Sequence, residues 1–92
     1  MNNETIINKL KDGNKQYVKG GMIGDVSKNR RIDTYLNGQS PFALIITCSD
    51  SRVIPEVIFQ QGIGDLFVVR VAGNVVDEFV LGIIEYAIEH LN

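Results

Sequence analysis

Two apolar segments constrain the fold of this chain most. The first, FALIITC, covers residues 42–48, and the second, LFVVRV, covers residues 66–71. Nearly unbroken apolar runs of this length are typical of strands covered on both faces, as in a parallel sheet. Between them, Pro55 suits the first turn of a short helix that we expect to reach Gln61. Strand, crossover and strand predict a parallel α/β unit with a right-handed crossover.

The segment before the first apolar run combines a helix with a long connection. Residues 3–18 place isoleucine, leucine, tyrosine and valine at helix-compatible spacing, and Gly20-Gly21 would end that helix. Residues 20–40 are polar and contain several glycines. They predict a long connection with one helical turn around residues 33–36.

The segment after the second apolar run returns to a helical pattern. Ala72-Gly73-Asn74 predicts a tight exit from the strand. From Val80 onward the apolar residues follow the i, i+3, i+4, i+7 template, at positions 80, 83, 84, 87, 88 and 91. The predicted order is therefore α, loop, β, α, β, α, which is an α/β fold. We expect one domain of 92 residues, with a helical arm and loop over 1–40 and a core over 41–92.

Composition excludes several classes of function for this chain. The chain is 45% hydrophobic and 22% charged, the balance of an ordinary globular protein. A net charge of −2 gives no signal for nucleic acid or an anionic membrane, and the basic cluster at 28–31 is interpreted as a solvated loop. One cysteine excludes an internal disulfide, and no apolar run approaches the ~18 residues of a membrane span. We therefore expect a cytoplasmic protein that binds neither nucleic acid nor membrane.

The polar sequence CSDSR follows directly after the first apolar run. Cys48, Asp50 and Arg52 are two residues apart, so an extended backbone would project all three the same way. They lie at the carboxyl end of a predicted parallel strand, where α/β folds place their sites. A thiolate is a good zinc ligand, and a carboxylate can bind zinc or hold its water. An arginine beside that carboxylate can keep it ionised.

Taken singly, these residues have simpler interpretations. A lone cysteine at the end of an apolar strand is usually a small buried hydrophobic residue. Residues 50–52 alone could form a turn with a surface salt bridge. His90 is interpreted as a residue of the last helical turn that favours the helix dipole. The single residues therefore leave both a zinc site and a purely structural role open.

The longer sequence is more specific than its single residues. CSDSRVIPE, followed by GDLFVVRVAGNVV and LGIIEYAIEHL, resembles the β-class carbonic anhydrases over most of the chain. The resemblance implies a Rossmann-like β-carbonic anhydrase fold, of which this chain covers the N-terminal portion. It also implies zinc-dependent, reversible hydration of carbon dioxide to bicarbonate.

The resemblance also assigns roles to individual positions. It implies that Cys48 binds zinc and that Asp50 and Arg52 form a catalytic pair controlling the fourth position on the metal. In the alternative arrangement Asp50 itself binds zinc and blocks that position. Gln39 corresponds to a glutamine that helps hold bicarbonate, and Phe67 corresponds to an aromatic residue that lines the pocket. In the usual dimer of the family, both belong to the neighbouring subunit's site. Gly73 corresponds to a glycine in the loop beside the pocket.

Part of the family's zinc site is not found in this sequence. Family members bind zinc with two cysteines and one histidine, and the histidine–x–x–cysteine motif follows the next strand. His90 does not hold that position, so we expect weak or absent zinc in the 92-residue chain alone. We also expect a homodimer or higher homo-oligomer, because an unpaired apolar strand edge favours pairing with another chain. The alternative function is a truncated, non-catalytic remnant or interaction half-domain. A relative acting on another small linear molecule, such as carbon disulfide, is a third hypothesis.

Overall fold

Four helices and two strands make up the described part of the chain. The structure is a computed structural model, and it describes residues 2–21 and 24–90. The elements, in chain order, are α1 (Asn3–Val18), α2 (Lys28–Asn37), β1 (Ala43–Cys48), α3 (Pro55–Ile58), β2 (Leu66–Val71), a 3₁₀ turn (Ala72–Asn74) and α4 (Glu78–His90).

The two strands pair in parallel, which confirms the predicted α/β unit. Their register sets Ala43 opposite Leu66 and Cys48 opposite Val71. The apolar core lies on β2 and α4, where the buried side chains are Leu66, Val69, Val80 and Ala87. The expectation that β1 is covered on both faces is wrong for the described residues. Only Thr47 of β1 is buried, because the sheet is two strands wide and β2 alone pairs with β1.

Helix α1 packs closely against α3. The Asn2 side chain caps the helix by accepting a hydrogen bond from the Thr5 N–H at 2.8 Å. Gly13 permits the close approach, because a Cβ at that position would lie 1.7 Å from the carbonyl oxygen of Phe59. Asn14 Nδ2 donates to the carbonyl oxygen of Ile58 at 3.1 Å. The N-terminal helix is therefore attached to the crossover between the two strands.

The predicted long connection over 20–40 is wrong in its second half. Residues 28–37 form a ten-residue helix, α2, rather than one turn at 33–36. Ser27 caps it by accepting the Arg30 N–H at 3.2 Å, and Gly38 ends it with a φ of 80°. The basic cluster at 28–31 is thus the first turn of a helix and not a solvated loop.

Arg30 explains why a polar segment becomes a helix here. Its Nε donates to the carbonyl oxygen of Ile63 at 2.7 Å, and its Nη2 lies 3.2 Å from Asp65 Oδ1. The second carboxylate oxygen of Asp65 accepts the Gly62 N–H at 2.7 Å. These bonds tie α2 to the loop before β2. Contacts so distant in sequence leave no trace in local periodicity, which is why the helix was not predicted.

The short helix and the strand exit follow the sequence with small differences. Helix α3 begins at Pro55 as predicted but ends at Ile58 rather than Gln61. Gln60 has a φ of 54°, a left-handed conformation that stops the helix. The exit after β2 is tight, as predicted, because Gly73 and Asn74 have φ values of 71° and 57°.

Helix α4 starts two residues earlier than the apolar pattern indicates. Asp77 Oδ1 accepts the Val80 N–H at 3.0 Å and so stabilises the first turn. The predicted stripe is buried at Val80 and Ala87, whereas the Ile83 side chain is half-exposed. Position 91 of the stripe lies outside the described residues. None of the described helices is both long and apolar enough to cross a membrane.

Candidate active site

Cys48 lies at the carboxyl edge of the sheet, where the two strands end together. It is the last residue of β1 and stands opposite Val71, the last residue of β2. The Ser49 N–H donates to the Val71 carbonyl oxygen at 3.1 Å, so the pairing continues one residue beyond the strand. The thiol is free and partly exposed. Parallel pairing therefore brings the loop after each strand to the same thiol.

Three backbone N–H groups interact with the Cys48 sulfur. The hydrogen bond from the Gly73 N–H is the largest influence on the pKa of the thiol and lowers it, and the Asp50 N–H lowers it further. Partial burial and the negative charge of Asp50 raise the pKa, while a weaker hydrogen bond from Ser49 lowers it. The net pKa lies below the ordinary value for cysteine. This environment favours the thiolate, which is the form that binds metals.

Asp50 and Arg52 form a bidentate ion pair beside this thiol. Arg52 Nε donates to Asp50 Oδ1 at 3.0 Å, and Nη2 donates to Oδ2 at 2.6 Å. The backbone N–H of Arg52 also donates to Oδ1, at 2.9 Å. The Arg52 side chain is the main reason that the pKa of the Asp50 carboxyl lies below its usual range. Asp50 is therefore an ionised carboxylate with a fixed orientation.

The pair forms through a turn, not through the extended backbone considered from the sequence. The Val53 N–H donates to the Asp50 carbonyl oxygen at 3.1 Å and closes a turn over residues 50–53. The Arg52 side chain is 87% exposed, whereas that of Asp50 is 31% exposed. The structure thus brings Cys48, Asp50 and Arg52 to one edge of the sheet, but a turn sets their arrangement.

Arg70 is a residue of this site that the sequence analysis missed. It lies on β2 opposite Thr47, and its Nη2 donates to the Asp50 carbonyl oxygen at 2.6 Å. Its charge also contributes to the lowered pKa of Asp50. The available signal was a single charged residue inside the apolar run LFVVRV. Without the register of the strands, that residue could not be placed near the CSDSR loop.

Comparison with known proteins identifies the family. The family model described as carbonic anhydrase matches residues 43–92, which is more than half of the chain and includes CSDSR. The chain belongs to the carbonic anhydrase family. The resemblance drawn from the sequence is therefore confirmed at the level of the family.

Carbonic anhydrases from mycobacteria are similar over most of this chain. Carbonic anhydrase 2 of Mycobacterium tuberculosis is 48% identical over 83 residues, which cover 90% of this chain and 40% of that protein. The carbonic anhydrase of Mycolicibacterium smegmatis is 47% identical over 79 residues, covering 86% of this chain and 38% of that protein. This family member thus spans about two-fifths of the length of these relatives.

Solved carbonic anhydrase structures confirm the expected fold. The β-carbonic anhydrase CcaA superposes with a TM-score of 0.62 at 32% identity, over 96% of this chain and 42% of that one. A Coccomyxa β-carbonic anhydrase, solved with acetazolamide, gives a TM-score of 0.58 at 30% identity, over 89% of this chain and 37% of that one. Both matches support the N-terminal portion of a β-carbonic anhydrase fold with parallel strands.

The described residues of this carbonic anhydrase family member supply one suitable zinc ligand but not a complete zinc site. The thiolate-favouring surroundings of Cys48 suit a sulfur ligand of zinc. Both carboxylate oxygens of Asp50 accept hydrogen bonds from Arg52, which would compete with a metal ion for them. Within residues 2–21 and 24–90, no three histidine, cysteine, aspartate or glutamate side chains are grouped to hold a metal ion. A zinc site built on Cys48 therefore needs further ligands.

Two of the three substrate-binding positions implied by the family do not meet Cys48 within one chain. Phe67 stands opposite Leu44, four residues before Cys48, a separation of ~13 Å along the strand. It lines a cleft between the sheet and α4. Gln39 is exposed in the loop that precedes β1, toward the same end. Gly73 alone of the three implied residues lies beside Cys48.

His90 lies in the last turn of α4, as the sequence indicated. Its ring centroid is 5.0 Å from that of Tyr86, one helical turn earlier, and its Nε2 lies 3.8 Å from Glu89 Oε2. Both contacts are within the helix. They support the interpretation of His90 as a helix-end residue.

Proposed function

We propose that this chain forms part of a zinc-dependent site for the reversible hydration of carbon dioxide to bicarbonate. In this site Cys48 is a zinc ligand, and Asp50 and Arg52 are the catalytic pair. The observation that carries the proposal is the ionised Asp50–Arg52 pair beside a thiolate-favouring cysteine at the carboxyl edge of parallel strands. Membership of the carbonic anhydrase family supports the choice of reaction.

The chain's own residues prepare this chemistry. A bound zinc ion would supply a Lewis acid that lowers the pKa of water to about 7. Cys48 contributes a thiolate ligand, since backbone N–H groups favour that form. An ionised carboxylate has about four acceptor positions, and Arg52 occupies three of those on Asp50. The remaining position can accept a hydrogen bond from the reacting water and orient its oxygen toward carbon dioxide.

Arg52 has a second effect in this scheme. By binding both carboxylate oxygens it keeps Asp50 ionised and would compete with a bound zinc ion for them. Breaking these bonds would free the carboxylate to bind zinc, and Asp50 would then block the position that water needs. The intact Asp50–Arg52 pair therefore corresponds to the active arrangement, and the broken pair corresponds to the inactive one.

We further propose that the complete site belongs to a homo-oligomer. Gln39 and Phe67 lie too far from Cys48 of their own chain, and we assign both to the substrate pocket of a neighbouring chain, with Gly73 lining the pocket from within. The substrate is carbon dioxide or bicarbonate. A single cysteine and no membrane-crossing helix among the described residues are consistent with the cytoplasmic location that we propose.

A non-catalytic half-domain is the second candidate function. Its support is the finding that no three metal-binding side chains are grouped among the described residues. In this case the Asp50–Arg52 pair would stabilise a turn without any role in chemistry. The two candidates differ in whether Cys48 binds zinc once further ligands are supplied.

A chimeric protein tests the ligand assignment. Residues 1–92 are joined to the part of Mycobacterium tuberculosis carbonic anhydrase 2 that follows its matched, 48% identical segment. We expect one zinc per chimeric chain by elemental analysis, loss of zinc in Cys48→Ser, and retention in Asp50→Asn and in the exposed loop control Ser51→Ala. The isolated 92-residue chain should hold little or no zinc. A folded Cys48→Ser chimera with full zinc would contradict the assignment.

A further inference from the structure

We propose that Arg70 is a positioning residue, whose guanidinium holds the turn over residues 50–53 and thereby fixes the Asp50–Arg52 pair relative to Cys48. The inference rests on the proposed function for its catalytic meaning, and it extends that function to a residue on the second strand. Its structural content can be tested without activity.

The Asp50 carbonyl oxygen is the point at which β2 reaches the turn. It accepts two hydrogen bonds, one from Arg70 Nη2 at 2.6 Å and one from the Val53 N–H at 3.1 Å. The Val53 bond closes the turn upon itself, whereas the Arg70 bond connects the turn to the other strand. Because both bonds end on this one carbonyl oxygen, loss of the Arg70 bond frees the acceptor of the turn-closing bond from β2 and lets the turn open more easily.

Asp50 is therefore held at two separate points. Its carboxylate is bound by Arg52, two residues along the same turn, and its carbonyl oxygen is bound by Arg70, twenty residues away. The Arg52 bonds are local and move with the turn. They fix the shape of the pair but not its position in the molecule. The Arg70 bond ties the turn itself to β2, which is fixed by its pairing with β1, whereas the Ser49–Val71 bond holds only the residue before the turn.

The position of Arg70 suits this role. It faces Thr47 in the strand register, one residue before the Cys48–Val71 pair, so its side chain extends toward the end of the sheet where the turn begins. An arginine is exposed here within an otherwise apolar strand. Its planar, fixed array of donors sets both the distance and the direction of a hydrogen bond, which a lysine does only as a mobile point charge.

Amide hydrogen exchange measured by NMR on the full 92-residue chain tests the proposal. Two amides report on the turn, since the Asp50 N–H donates to the Cys48 sulfur and the Val53 N–H donates to the Asp50 carbonyl. The Phe42 N–H, which donates to Asp65 at the opposite end of β1, reports on the sheet as a whole. We compare Arg70→Met, Arg70→Lys and a matched control, Arg31→Met, which replaces an exposed arginine of α2.

In Arg70→Met we expect the Asp50 and Val53 amides to exchange about three- to tenfold faster. This is the effect expected from the loss of one charge-assisted hydrogen bond at a partly exposed site. The Phe42 amide should keep its rate. Arg70→Lys should restore part of the protection, and Arg31→Met should change none of the three amides. Unchanged rates for Asp50 and Val53, or an equal rise at Phe42, would overturn the positioning role. Absence of carbon dioxide hydration in the zinc-loaded chimera would contradict the proposed function instead, and would leave this exchange result as it stands.

Discussion

Arg52 binds both carboxylate oxygens of Asp50, at 3.0 Å from Nε to Oδ1 and 2.6 Å from Nη2 to Oδ2. The two residues are neighbours in one turn, and the Arg52 side chain is 87% exposed. An exposed pair of this kind contributes little to the stability of a fold. The pair instead determines the ionisation and the orientation of the Asp50 carboxylate.

Arg52→Gln should raise the pKa of the Asp50 carboxyl toward its ordinary value of ~3.9, because the Arg52 side chain is the main cause of its lowering. The folded-state pKa of Asp50 lies below the unfolded value, so the pair stabilises the fold above the unfolded pKa and loses this contribution as pH falls through the folded pKa. Carboxyl ¹³C NMR titration measures the shift, with Arg31→Gln as the control. An unchanged titration of Asp50 in Arg52→Gln would refute the dependence on Arg52.

Arg30→Met should lower the free energy of unfolding by about 1–2 kcal/mol, because the carbonyl oxygen of Ile63 and the carboxylate of Asp65 both lose a partly buried donor. Arg31→Met, the next residue on α2, changes an exposed side chain and should have little effect. Urea unfolding followed by circular dichroism gives both values. Equal stability of the two variants would show that Arg30 does not tie α2 to the loop before β2.

Two glycine substitutions in helices should act in opposite directions. Gly82→Ala on α4 meets no atom within 4 Å and should stabilise the protein by up to about 1 kcal/mol through helix propensity. Gly13→Ala on α1 places its Cβ against the carbonyl of Phe59 and should destabilise by about 1–3 kcal/mol as α1 and α3 are forced apart. Thermal unfolding of both variants measures the difference. A stabilising Gly13→Ala would mean that α1 does not pack on α3 as described.

Sequence reasoning located the elements whose signal is local and missed those that depend on distant contacts. The strands at 43–48 and 66–71 and the helices at 3–18 and 78–90 follow from continuous apolar runs or helical periodicity. Helix α2 does not, because its decisive bonds join Arg30 to the loop before β2.

The same distinction holds at the candidate site. Asp50 and Arg52 are close in sequence, so their pairing could be predicted from the CSDSR motif. The bond between Arg70 and Asp50 required the strand register, and the Gly73 N–H reaches Cys48 only because parallel strands end together. Local sequence therefore indicates which groups are present, and the sheet determines how they meet.

Self-association is expected from the surface that the fold leaves open. β1 has one paired edge among the described residues, and its other edge presents backbone groups that can pair with another chain. Large apolar side chains are also exposed on α4, where Phe79 is 84% and Tyr86 is 53% accessible. We expect sedimentation velocity at micromolar concentration to show a dimer or higher homo-oligomer. A compact monomer that unfolds cooperatively would contradict this expectation.

The hydration rate of the zinc-loaded chimera, measured by stopped flow with a pH indicator, tests the central claim most directly. If Cys48, Asp50 and Arg52 form a carbon dioxide hydration site, the chimera should hydrate carbon dioxide far faster than its zinc-stripped form. Asp50→Asn should then lower the rate by at least about tenfold with zinc retained, whereas Ser51→Ala should not. A folded, zinc-loaded chimera that is no faster than its zinc-stripped form would contradict the account.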